Sequence, residues 1–147
     1  MDIQQSNLLG AYTAISIFTF SIMVFLFRMT NQKQLEYLSG LLFIASVIPL
    51  FYLVLTSARM NRPRLYLIQV MLMILFIIVE LLVDYILNID FRNIRWMLIS
   101  YVTLFFSATG GMIGVAANAG KPWAVVSIVL YLTMAALAFL SRAATGI

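Results

Sequence analysis

Residues 65–87, LYLIQVMLMILFIIVELLVDYIL, decide the fold. Only Gln69, Glu80 and Asp84 interrupt the apolar side chains, and the run exceeds the roughly 20 residues a helix needs to cross about 30 Å of hydrocarbon. It lacks the alternation of polar and apolar positions over about ten residues that marks a membrane strand. The stretch is expected to be a transmembrane helix.

Four further runs of similar length flank it, at 8–27, 37–57, 96–118 and 122–141, separated by short polar breaks such as RMTNQKQLE and NIDFRNIR. Tyr37, Tyr66, Trp96 and Trp123 stand at the start of runs two to five, where amphipathic rings favour the membrane interface. The expected fold is an all-α integral membrane protein, a bundle of five transmembrane helices with short loops and no soluble domain, forming one domain over residues 1–147. Composition agrees: the chain is 64% hydrophobic and 10% charged. Soluble domains average about 45–50% apolar and about 25% charged, so too little polar surface is present to coat a water-soluble globule. The first run has no Lys or Arg before it and no small-residue cleavage pattern before Arg28, and is read as a retained helix.

The same composition excludes much chemistry. Without Cys or His the chain has no thiol nucleophile, imidazole base, axial haem ligand or ordinary zinc or iron–sulfur site. It contains no phosphate-binding glycine loop and no nucleophile elbow. Asp84 has no second intramembrane Asp with which to form an aspartyl dyad. No cofactor, no metal and no enzymatic activity are expected. The net charge of +4 comes from Arg and Lys at the ends of apolar runs, which suits lipid headgroups rather than nucleic acid.

With five spans, Arg28, Lys33, Arg92, Arg95 and Arg142 fall on one side of the bilayer, and Arg59, Arg62, Arg64 and Lys121 on the other. The first helix breaks this near tie, since only its carboxyl-terminal flank is basic. An outside amino terminus and a cytoplasmic carboxyl terminus are expected.

Glu80 and Asp84 are the strongest functional signal. Four residues apart, they share a helix face, and Gln69 falls on the same stripe three turns earlier. With a rise of about 1.5 Å per residue, Glu80 lies roughly 6 Å from the middle of its run and Asp84 roughly 12 Å. An ionised carboxylate at the depth of Glu80 costs at least about 2.5–3.5 kcal/mol, so it must be protonated, paired or facing water. The three residues are candidates for binding a cation or relaying a proton. For Asp84 the competing expectation is a structural ion pair with Arg28, Arg92, Arg95 or Arg142, all on its side of the bilayer.

Run four carries a stripe of small and polar residues, with Ser107, Gly111, Gly114 and Asn118 within about 60° of one another and Gly110 and Gly114 forming a GxxxG pair. These residues are expected to pack helices closely or to line a cavity facing the carboxylates. Pro49, near the middle of run two, is expected to kink its helix, with the freed carbonyl lining a cavity or satisfied by neighbours. The functional expectation is a cation- or proton-linked channel or transporter centred on the third helix. The alternative is a non-catalytic accessory or structural protein packing against a partner protein or lipid. The expected partners are the lipid bilayer and either further copies of the chain or another membrane protein.

Overall fold

The computed structural model describes residues 2–146. All regular elements among the described residues are helical. They are α1 (Ile3–Met29), α2 (Lys33–Ala45), α3 (Val47–Ser57), α4 (Arg64–Glu80), a π-helical turn (Leu81–Ile86), a short 3-10 turn (Phe91–Asn93), α5 (Arg95–Ala117) and α6 (Lys121–Thr145). Joined end to end, α2 with α3 and α4 with the π-turn, they give five helices long and apolar enough to cross a membrane.

The helices outrun the apolar runs where polar residues cap them. α1 begins at Ile3 because Asp2 Oδ1 accepts from the Gln5 amide at 2.8 Å while Gln5 Oε1 accepts from the Asp2 amide at 3.2 Å, a reciprocal capping box. α2 begins at Lys33, four residues before Tyr37, with its first turn exposed to solvent. α6 continues beyond residue 141 until Gly146 adopts a left-handed φ of 72° and stops it. Three of the four connections between spans turn on an asparagine in left-handed conformation, Asn31, Asn61 and Asn88; the fourth uses Gly120.

The expected disturbance in run two is a one-residue interruption at Ser46, which itself keeps right-handed helical dihedrals. Pro49 lacks the amide hydrogen that would bond one turn back, and the helix parts at Ser46, which separates α2 from α3. The Ser46 hydroxyl is held by the Leu42 carbonyl at 3.4 Å.

Four spans form a ring in the order α1, α2–α3, α4, α5, each packing on its neighbours, and α6 covers the seam between α1 and α5. Close approach of α1 and α5 depends on Gly10, where a Cβ would lie 2.9 Å from Val115 Cγ1. The half of the bundle nearer the amino terminus is packed solid. Ala14, Ile17, Leu50, Val70, Met73, Met112 and Val115 are all fully buried there. Outward faces carry exposed side chains such as Ile48, Leu55, Ile68, Trp96, Leu132 and Phe139, an apolar exterior far larger than a water-soluble monomer shows.

The two ends differ in charge. At the amino-terminal end lie Arg59, Arg62, Arg64 and Lys121 with only Asp2 as carboxylate, and Arg62 ties its loop to α1 through Ser6 Oγ at 2.8 Å. At the other end lie the remaining Asp and Glu side chains, Glu36, Glu80, Asp84 and Asp90, together with Arg28, Lys33, Arg92, Arg95 and Arg142. This carboxylate end holds the cavity.

Candidate functional site: a charged cavity at one end of the bundle

The cavity measures about 660 Å³ and opens at the carboxylate end. All five spans line it, through Arg28, Glu36, Glu80, Asp84, Arg92, Tyr101 and Arg142 among others. Its floor is a cluster of rings: Phe76 lies 6.0 Å from Phe43 and 5.3 Å from Phe105, centroid to centroid, and all three are buried. Below that floor the packed half of the bundle begins.

The π-turn shapes the wall. From Leu81 to Ile86 the backbone underwinds, and the Leu87 amide reaches the Leu82 carbonyl at 2.8 Å, five residues back instead of four. The turn brings Asp84 and Tyr85, adjacent in sequence, to the same cavity. Successive residues of an α-helix point about 100° apart, so the extra width of the π-turn assists this. Tyr85 crosses to α2, where its hydroxyl touches Gly40 and its ring lies 5.4 Å from that of Tyr37.

The charges within the cavity are sorted. Arg92 approaches Asp84 with both terminal nitrogens, at 3.3 and 3.0 Å, a bidentate pair. Burial disfavours the charge on Arg92, and the hydrogen bonds and charge of Asp84 outweigh it, so the guanidinium is held above its ordinary pKa. Its plane also covers the Phe91 ring at 4.6 Å. Arg28 and Glu36 form a second pair, at 2.8 Å, joining the end of α1 to the start of α2. Glu80 has no such partner. It accepts from the Tyr101 hydroxyl on α5 and shares a side-chain hydrogen bond with the Asp84 carboxyl; the Arg92 guanidinium acts on it through its charge, but among the described residues no Arg or Lys bonds to it. Lys33 and Arg142, at the mouth, are likewise without an ion pair among the described residues.

The sequence candidates thus separate. Glu80 and Asp84 share the cavity, the first with a tyrosine and the second with an arginine. Gln69 does not join them: eleven residues earlier, roughly 16 Å along the helix, it lies across the α4–α5 seam on Gly111 and Gly114. A Cβ on Gly111 would meet Gln69 Cβ at 3.5 Å, and one on Gly114 would run into the Gln69 amide. Gly110 faces α6, where a Cβ would lie 3.6 Å from the Tyr131 hydroxyl. Ser107 and Asn118 are exposed, and Asn118 donates to the Gly114 carbonyl of its own helix at 3.0 Å. Neither residue lines the cavity, nor does Pro49.

Tyr101, Tyr85 and the pair Arg28–Glu36 complete the site beyond the sequence candidates. Two tyrosines inside apolar runs were the available signal, because a buried phenol usually finds a hydrogen-bond partner. Comparison with protein-family models, with curated proteins and with solved structures gave no match.

Proposed function

We propose that this chain is a multi-pass integral membrane protein that takes up a proton or a cation at Glu80 and works in cation- or proton-linked transport. The observation that carries the reading is the contrast between the two carboxylates. Asp84 is neutralised by a bidentate arginine, whereas Glu80, deeper in the bundle, faces the open cavity bonded to the Tyr101 phenol and the Asp84 carboxyl, with no Arg or Lys bonded to it. An ionised group in that position gains from any cation that reaches it, and a protonated one is in contact with the water that can remove the proton. The expected amino terminus is outside, which places the cavity mouth on the cytoplasmic side.

The buried rings and aliphatic side chains beneath the cavity close the way through a single bundle. Transport across the bilayer therefore needs rearrangement of the helices or a path shared with a second copy. The accessory reading draws no comparable support, since Gly110, Gly111 and Gly114 are engaged with Tyr131 and Gln69 inside the chain.

The test is proteoliposome flux under an imposed pH or cation gradient, with Glu80→Gln compared with wild type after both are shown to fold. Glu80-dependent flux supports the proposal. Wild-type flux at the level of empty liposomes for protons and all cations tried, or equal flux through Glu80→Gln, sinks it.

A further inference from the structure

Resting on that reading of Glu80, we infer that the cavity is built for an organic cation carrying an apolar body, such as a lipophilic amine or a quaternary onium ion, rather than for a bare metal ion. The inference joins three features of one space: its size, its ring-lined floor, and an inner carboxyl group, Glu80, to which no Arg or Lys is bonded.

Size comes first. A site for a proton or a desolvated metal ion needs a few ångströms, whereas about 660 Å³ lies within the range of roughly 300–1,000 Å³ typical of drug-sized ligands.

The donor set points the same way. A hard metal ion takes six or more oxygen ligands, several of them carboxylates or carbonyls. No group of three or more acidic, His or Cys side chains able to hold a metal occurs among the described residues. Asp84 is committed to Arg92 by two hydrogen bonds and Glu36 to Arg28. Asp90, in the loop at the mouth, accepts from Asn93 at 2.6 Å. That leaves Glu80 as the inner acidic group with no Arg or Lys bonded to it, enough when ionised for one ammonium or phosphonium centre but not for a coordination sphere.

The third feature is the surface around Glu80. Tyr101, which holds the carboxylate, lies 5.4 Å from Phe76 and 4.5 Å from Phe91 by ring centroids, and Phe76 continues to Phe43 and Phe105. Rings adjoining one carboxylate give an organic cation its ion pair, its cation–π contacts and a dry seat for its apolar groups in one place. Lys33 and Arg142 oppose a cation at the mouth, but Arg142 and Lys33 are exposed, and solvent screening limits their reach to about 8–10 Å at ordinary ionic strength. They select against a cation only weakly and give the test its counter-case, a lipophilic anion held at the mouth.

The experiment is equilibrium binding of tetraphenylphosphonium and of tetraphenylborate, ions of matching shape and opposite charge, to the purified full-length protein in detergent. The expected result is saturable binding of the cation, at least about tenfold weaker in folded Glu80→Gln, with no saturable binding of the borate. Equal binding of the two ions, preference for the borate, no saturable binding of the cation, or unchanged affinity in Glu80→Gln overturns the inference. Should Glu80→Gln not fold, the comparison of the two ions on wild type decides alone. Displacement of bound phosphonium by tetraethylammonium identifies a ligand drawn from water, and displacement by phosphatidylcholine identifies a lipid choline group; displacement by neither overturns the assignment to organic cations. The outcomes also separate the two readings. Glu80-dependent proton or inorganic-cation flux without phosphonium binding removes this inference and keeps the transport proposal, whereas phosphonium bound at Glu80 without flux of any cation does the reverse.

Discussion

The Tyr101 hydroxyl and the Glu80 carboxyl group meet across the seam between α4 and α5, 21 residues apart in the chain, and the phenol is the partner that reaches Glu80 from another helix. The contact fixes the rotamer of the inner acidic group and sets the register of the two helices at the carboxylate end. Tyr101→Phe is expected to lower stability by about 1–3 kcal/mol, the cost of leaving a buried polar group without its partner. Denaturant unfolding in mixed micelles measures it. In a Glu80→Gln background the same substitution should cost less, and strict additivity of the two changes would show that the hydroxyl and the carboxylate are not coupled.

Asp84 and Arg92 behave as a unit. Their side chains keep 18% and 21% exposure, so removing one partner is expected to cost about 2 kcal/mol, below the roughly 3–5 kcal/mol of a fully buried pair. Asp84→Asn should therefore destabilise the protein more than the double change Asp84→Asn with Arg92→Gln, which leaves no stranded charge. A double variant less stable than Asp84→Asn would show that Arg92 is held mainly by its packing on Phe91.

The two glycines facing Gln69 should respond differently to the same methyl group. Gly111→Ala puts its Cβ at ordinary contact distance, 3.5 Å, and is expected to be nearly neutral. Gly114→Ala drives a Cβ into the Gln69 amide and is expected to cost about 1–3 kcal/mol, in the range of overpacked cores. Gln69→Ala should recover most of that loss. Melting temperatures of the four proteins check it, and equal effects at the two glycines would mean that Gln69 does not lie where the seam puts it.

Because the chain has no cysteine, single cysteines report topology without background. Cysteines replacing Asn61 and Asn88, both exposed in loops at opposite ends of the bundle, are expected to react with an impermeant maleimide from opposite sides of intact cells or vesicles. Position 61 should label from outside and position 88 only after permeabilisation. Labelling of both from one side contradicts the five-span arrangement, and the reverse pattern contradicts the orientation.

How far the sequence discloses this molecule depends on the range of the forces involved. Number and position of the spans follow from local hydropathy, and the shared face of Glu80 and Asp84 follows from helical spacing alone. Helix ends are harder: the Asp2–Gln5 capping box and the Gly146 stop are local signals, but they lie outside the apolar runs that draw the eye. Pro49 marks a disturbance in run two, yet the break falls at Ser46, because a proline disrupts the turn before it. The π-turn leaves no mark in the pattern of LLVDYI, which an α-helix would accommodate equally well. Least legible are the tertiary choices. Four arginines were in reach of Asp84 by side of the bilayer, and only the fold selects Arg92; only the fold, likewise, turns Gln69 toward glycines and Tyr101 toward Glu80.

The one-ended cavity has an electrical consequence. Glu80 lies six residues from the end of the π-turn at Ile86, about 9 Å along a span of roughly 34 Å. In a bilayer, a charge entering from the mouth and stopping at Glu80 crosses about a quarter of the thickness, so a potential of 100 mV changes its binding free energy by only about 0.6 kcal/mol. The remaining three quarters of the thickness lies beyond Glu80 and includes the packed half of the bundle. If Glu80 takes up a charge as proposed, loading it is nearly indifferent to membrane potential, and onward passage past Ile17 and Met73 would be the step that voltage governs.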